Sequence, residues 1–225
     1  VSDPISSIAR YLSADVRALG TLSQNVANLT TPGYRAVQRA EGFEGTLGAA
    51  PTRVDQRDGA LIQTGRPLDL ALQGQGFFQV SAGDEQVFLT RAGQFSLDAS
   101  GRLVDAQGRA VLGADGPIVL SSSAVTIGED GAIHDGKDVV AQLALVDVAD
   151  GATLQPLGGG MYAASATADA DVRVHQGALE GSNVDPGEEM VRLMQLSRHA
   201  SSIQHAISTY HTALVAGIDQ IGKDS

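Results

Sequence analysis

The chain carries an apolar stripe near each end, and the two stripes lie more than 150 residues apart. In the first, Ile5, Ile8, Leu12, Leu19, Leu22, Val26 and Leu29 recur at steps of three and four, and the one missing step falls on Asp15. This is the heptad spacing of a single helix face. In the second, Met190, Leu193, Leu196, Ala200, Ile203, Ile207, Tyr210, Leu214, Ile218 and Ile221 follow one another without a polar break. A lone helix with one such stripe is not stable in water. Covering the stripe is worth roughly 1.5–3 kcal/mol per large side chain. The ends must therefore cover each other, cover other copies of the chain, or do both.

Both helices have readable limits. Asp3 suits the N-cap and Pro4 the first helical position, where a missing N–H costs nothing. Thr30-Thr31-Pro32-Gly33 stops the first helix. Asp185-Pro186-Gly187-Glu188 reads as a second N-terminus resembling a capping box, with Glu188 and Glu189 at the positive end of the dipole.

Between the helices the period shortens. Phe77 to Val80, Gln86 to Thr90, Phe95 to Leu97, Arg102 to Val104 and Arg109 to Leu112 are short β-type runs. Asp98-Ala99-Ser100-Gly101 and Asp105-Ala106-Gln107-Gly108 separate them with the Asp-first, Gly-fourth signature of a type I turn. Further strands are expected at 125–127, 139–148 and 172–174. The expected fold class is α+β, with long N- and C-terminal helices pairing as a coiled coil and a central, mostly antiparallel β domain. The expected divisions are an N-terminal helix over 1–35, an extended connector over 36–64, the β domain over 65–178 and a C-terminal helix over 179–225.

Composition narrows the function. With 225 residues and 43% hydrophobic content the chain can build a real core. It has no cysteine, which excludes thiolate metal sites and a cysteine nucleophile. A net charge of -11 argues against phosphate-backbone binding, and the absence of Trp leaves few stacking platforms for bases or sugars. No membrane span is expected, nor a cleaved signal peptide at Val1-Ser2-Asp3-Pro4-Ile5.

Candidate chemistry is thin. His199, His205 and His211 are six residues apart, which turns a helix by about 240° per step and puts them on different faces. Asp130, His134 and Asp135 cluster at Gly131 and Gly136 as a polar hairpin would. No catalytic, cofactor-binding or metal-binding residue is predicted, and no cofactor. Asn25 and Asn28, beside the first stripe, can pair their amides across an interface and fix its register.

Four strings make the chain familiar. Gln24-Asn25-Val26-Ala27-Asn28-Leu29-Thr30-Thr31-Pro32-Gly33-Tyr34-Arg35 resembles the end of the N-terminal helix of bacterial flagellar axial proteins. Gly65 to Val80, which reads GRPLDLALQGQGFFQV, and Thr90 to Asp98 with Gly101-Arg102-Leu103-Val104 are similar to the β domain of rod and hook proteins. Leu179-Glu180-Gly181-Ser182-Asn183-Val184-Asp185-Pro186 with Glu188-Glu189-Met190-Val191 continues the match in order. The resemblance is nearest to the flagellar basal-body rod proteins. Arg66-Pro67-Leu68-Asp69 and the short connector lean toward the proximal rod over the distal rod.

The resemblance implies a structural subunit, not an enzyme. It would be exported by the flagellar apparatus and would polymerise through its terminal helices into a hollow shaft crossing the periplasm and transmitting torque. Its partners would be copies of itself, other rod proteins and the export apparatus, with no nucleic acid. The stripe residues above, with Asn25 and Asn28, would be the subunit interface. The competing reading is a secreted β-domain carbohydrate binder or enzyme with a helical dimerisation stalk.

Overall fold

The computed structural model describes residues 4–39, 52–81, 83, 86–150, 152–165 and 167–223. Two helices bracket the chain, α1 over Pro4–Ala27 and α2 over Pro186–Lys223. At 24 and 38 residues they run roughly 36 and 57 Å. The chain divides into two compact units: Val1–Ser23 with Asp185–Ser225, and Gln24–Val184.

The start of α2 forms as its sequence requires. Asp185 Oδ1 accepts hydrogen bonds from the N–H groups of Gly187 and Glu188, at 2.7 and 3.2 Å. The Glu188 carboxylate meets Arg192 one turn later, at 2.6 Å. Asp3, the expected cap of α1, lies outside the described residues.

Antiparallel strands fill the second unit. The largest sheet has ten strands, and Phe77–Ser81 lies at its centre, bonded to Val87–Thr90, Ala110–Gly113 and Leu145–Val148. Successive side chains on a strand face opposite ways, so Phe77 and Phe78 enter different cores. Phe78 packs edge-on against Phe95, with ring centroids 5.1 Å apart, among Leu70, Leu72, Leu103, Val111 and Ile133. Phe77 joins Tyr162 and Leu89 on the other face.

The Asp-x-x-Gly turns close as their residues dictate. Asp98 Oδ1 accepts from the N–H groups of Ser100 and Arg102, and Asp105 Oδ1 from those of Gln107 and Arg109. Each Asp also holds the arginine four residues on, Asp98 with Arg102 at 2.8 Å and Asp105 with Arg109 at 2.6 Å.

The expected fold class needs correction. The described strands all lie in the second unit, but they do not form one continuous sheet. They divide among five sheets of two, ten, three, two and two strands. The expected strand over 139–148 is two, Asp138–Gln142 and Leu145–Val148, in different sheets. Three short strands, Val37–Arg39, Thr52–Val54 and Leu61–Gln63, fall within the range read as a connector.

The helices do not pair as a coiled coil either. A knobs-into-holes seam covers its a and d side chains, yet Leu12 and Leu19 are 49% and 48% exposed and Leu193 is 41% exposed. What joins α1 to α2 is polar. His199 Nδ1 lies 2.9 Å from both carboxylate oxygens of Asp15, and the Tyr11 ring stands edge-on to His199. A carboxylate at the missing stripe position interrupts an apolar seam.

Truncating Phe78 to Ala removes the ring on which the larger core closes. Global stability should fall by about 3–5 kcal/mol, read as a shift in the urea midpoint at unchanged slope.

Candidate functional site: a buried charge junction

Within the second unit, the richest chemistry lies where the segment after α1 meets the strand before α2. Gly33 turns the chain with φ +66°, and a Cβ there would sit 2.2 Å from the Arg91 carbonyl carbon. Its N–H donates to the backbone carbonyl of Glu180 at 2.7 Å. Arg35, two residues on, and Arg91 thereby arrive beside Glu180. All three are essentially fully buried.

Asp58 completes the group. Its Oδ1 accepts from Arg35 Nη2 at 3.0 Å and from Arg91 Nη2 at 2.7 Å, while Oδ2 accepts from the Gly74 N–H at 3.0 Å. Arg35 Nη1 also donates to the Gln56 carbonyl, and Arg91 Nη2 to that of Gly74. Glu180 Oε1 accepts from the Gly59 N–H at 2.9 Å and stands 3.7 Å from Arg35 Nη2. Glu180 Oε2 lies 3.2 Å from Arg91 Nε, near enough for ion pairing but without the alignment of a hydrogen bond. A Cβ on Gly59 would meet the Gly181 carbonyl oxygen at 2.0 Å, so only glycine lets these two segments approach.

The two cations and two anions balance. Both guanidinium carbons lie over the Phe77 ring, Arg35 at 5.6 Å and Arg91 at 5.9 Å from its centroid. Burial, with help from the neighbouring Arg35, pulls Arg91 down to about 10, so it stays charged at neutral pH. Burial likewise pushes the Tyr162 phenol up to about 12, and its neutral oxygen accepts the Arg35 N–H at 2.9 Å. Burial also raises the Glu180 carboxyl above its ordinary 4.5, against the pull of Arg91.

Two asparagines bind the next stretch of chain. The Asn25 amide donates to the Val37 carbonyl at 3.0 Å and its Oδ1 accepts the Val37 N–H at 2.9 Å, copying a strand pairing with one side chain. The Tyr34 hydroxyl adds a bond to the same Oδ1 at 3.1 Å. From the other side, Asn183 Oδ1 accepts the Ala36 N–H, and its amide donates to the carbonyls of Asp55 and Arg57.

The predicted interface residues fall into three groups. Asn25 is buried and its amide is spent within the chain. The Asn28 amide bonds the Gln24 carbonyl at 2.8 Å. Leu22 is buried, while Leu29, Leu196, Ala200 and Ile203 are partly covered. Leu12, Leu19, Val26, Met190, Leu193, Ile207 and Tyr210 are exposed. The side chains of Ile5, Ile8, Leu214, Ile218 and Ile221 lie outside the described set. Arg35, Arg91, Asp58, Glu180 and Asn183 carry the junction but received no role from the sequence. Their common signal is a charged or amide residue within two positions of a turn glycine, as in Gly33-Tyr34-Arg35, Asp58-Gly59 and Glu180-Gly181.

The buried charges are thus spent on holding distant segments of the second unit together, a structural task. The comparisons with known proteins agree. The family model described as flagellar hook protein FlgE/F/G D1 domain matches residues 71–134, and the one described as flagellar basal body rod FlgEFG protein C-terminal matches 175–215. The chain is 33% identical to the flagellar basal-body rod protein FlgF of Rhizobium meliloti, with 92% of each chain covered. It is 34% identical to FlgF of Salmonella typhimurium over 78% of this chain and 81% of that one. FlgG of Agrobacterium fabrum follows at 29% identity over 89% and 92%. The chain belongs to the flagellar basal-body rod protein family.

Two measurements test the junction. Arg91→Met leaves Glu180 buried beside one distant cation, and should cost about 3–5 kcal/mol in chemical denaturation. Replacing both partners, as Arg91→Met with Glu180→Leu, should recover most of that loss.

The second is pH dependence. Because the folded Glu180 takes up its proton at higher pH than the unfolded chain, its contribution is full below pH 4.5 and is lost as pH rises through the folded value. The advantage of wild type over Glu180→Gln should therefore shrink between pH 4.5 and neutrality. Asp55 has the opposite sign. Its hydrogen bonds with Arg57 hold it below 3.8, so its contribution is lost only on further acidification.

Proposed function

We propose that this structural rod subunit polymerises through α1 and α2, and that the resulting hollow shaft of the flagellar basal body carries torque. The observation that carries the reading is the exposed apolar row on both helices: Leu12 and Leu19 on α1, and Met190, Leu193, Ile207 and Tyr210 on α2. Such a row is a cost to an isolated chain and a gain once neighbouring subunits cover it. Contacts between unlike faces of successive copies build a helix that does not close on itself. Among the described residues, no helix is long and apolar enough to cross a membrane.

In this reading the partners are other copies and other rod proteins, delivered by the flagellar export apparatus. The shaft stands in the periplasm, and the chain catalyses nothing. The predicted interface residues, from Ile5 to Leu29 and from Met190 to Ile221, are the docking faces. The proximal rod is favoured over the distal rod, in line with the FlgF relatives. The family assignment covers most of the chain and leaves no observation favouring a secreted carbohydrate binder or enzyme with a dimerisation stalk.

Leu193→Asp and Leu19→Asp place a charge on each face. Both variants should unfold within about 0.5 kcal/mol of wild type and yet abolish assembly. Swimming in soft agar and electron microscopy of isolated basal bodies give the readout. Normal rods built from both variants would rule out the helical docking faces.

A further inference from the structure

Residues 55–60 run over the buried arginines without regular secondary structure. Gln56, Arg57, Asp58 and Ala60 are exposed, and no apolar side chain of the segment enters a core. The segment is held by polar ties alone. Its backbone bonds Ala36, Asn183, Gly181, the Arg35 guanidinium and the Glu180 carboxylate, and Asp58 is its one side chain paired with the buried arginines. The asymmetry at that contact is large. The Asp58 side chain is 37% exposed, while those of Arg35 and Arg91 are 1% and 0% exposed. Without Asp58, the two guanidinium groups would keep only Glu180 as countercharge, leaving one excess buried positive charge. Arg91 Nη1 and Arg35 Nε, both buried, make no hydrogen bond to any described residue. The local chemistry is that of a receptor for one carboxylate: two guanidinium groups and the Gly74 N–H converge on its two oxygens.

We propose that Arg35, Arg91 and the Gly74 N–H form a carboxylate-binding site that the chain fills with its own Asp58. Residues 55–60 are then a strap latched by that one charge, able to leave the body while its cores stay folded. The inference does not depend on the rod reading, because every group in it belongs to the second unit. Hydrogen exchange on the full-length protein tests it. In Asp58→Ala, amides of the strap should exchange about tenfold faster or more, while those of Leu70–Gln73 and Phe77–Ser81 keep their wild-type rates. Excess sodium formate, small enough for the space vacated by the carboxylate, should return the strap to within about twofold of wild type. Sodium chloride at equal concentration should not. Asp58→Asn, whose amide fills the space, should loosen the strap without formate rescue. Wild-type exchange in the strap of Asp58→Ala, acceleration shared equally by the core strands, equal action of formate and chloride, or failure of both variants to fold would each overturn the proposal.

Discussion

Two guanidinium groups taken out of water must find their countercharge inside the fold, and this requirement organises the second unit. Neither arginine can leave its place without stranding an anion, and neither anion without stranding a cation. Arg35 follows α1, Asp58 lies on the strap, Arg91 directly follows a strand of the largest sheet and Glu180 ends the strand before α2. Four chain segments far apart in sequence are thus held to one point. An apolar cluster of the same size would stabilise the body at lower desolvation cost, but apolar side chains slide and repack. Paired charges do not, because only one arrangement satisfies them.

This division of labour explains why the two units differ so much. The body closes on its own, with Phe78 and Phe95 in one core and Phe77 with Tyr162 in another. Several apolar side chains of the helices, Leu12, Leu19, Met190 and Leu193 among them, are exposed, and among the described residues Asp15, Tyr11 and His199 make a contact between the helices. A seam of leucine against leucine would have satisfied the stripes within one chain and left little for neighbours. The polar contact leaves much of those faces exposed.

The sequence announced its elements better than their assembly. Local signals act over four or five residues, so the cap at Asp185 and the Asp98 and Asp105 turns could each be read in place, while α1 ends at Ala27, before the expected stop at Thr30-Thr31-Pro32-Gly33. Heptad spacing proved a weaker guide. It identifies an apolar face but not what covers it, and the described residues do not bear out the coiled coil inferred from it. The charge junction could not be read at all as a site. Arg35 and Glu180 are separated by 145 positions, and only the folded sheet shows that Gly33 sets the first beside the second. Asn25 was noticed for its place beside the stripe and was assigned to an interface. Its amide instead completes a strand pairing with Val37.

The Asn25 pairing shows why a carboxamide serves where the chain leaves the body. To copy a strand partner, a side chain must present one donor and one acceptor at peptide spacing, which asparagine does and aspartate or leucine cannot. Asn183 bridges from the other side, its Oδ1 accepting the Ala36 N–H and its amide donating to the Asp55 and Arg57 carbonyls, so the stretch from Tyr34 to Val37 is held between two side chains. One lies in the last turns of α1, and the other stands two residues before the cap of α2. Hydrogen bonds of this kind have fixed direction, unlike apolar contacts, and resist rotation about the point where they are made. Such ties fix the course of Tyr34 to Val37 within the second unit, where apolar contacts alone would let that stretch shift.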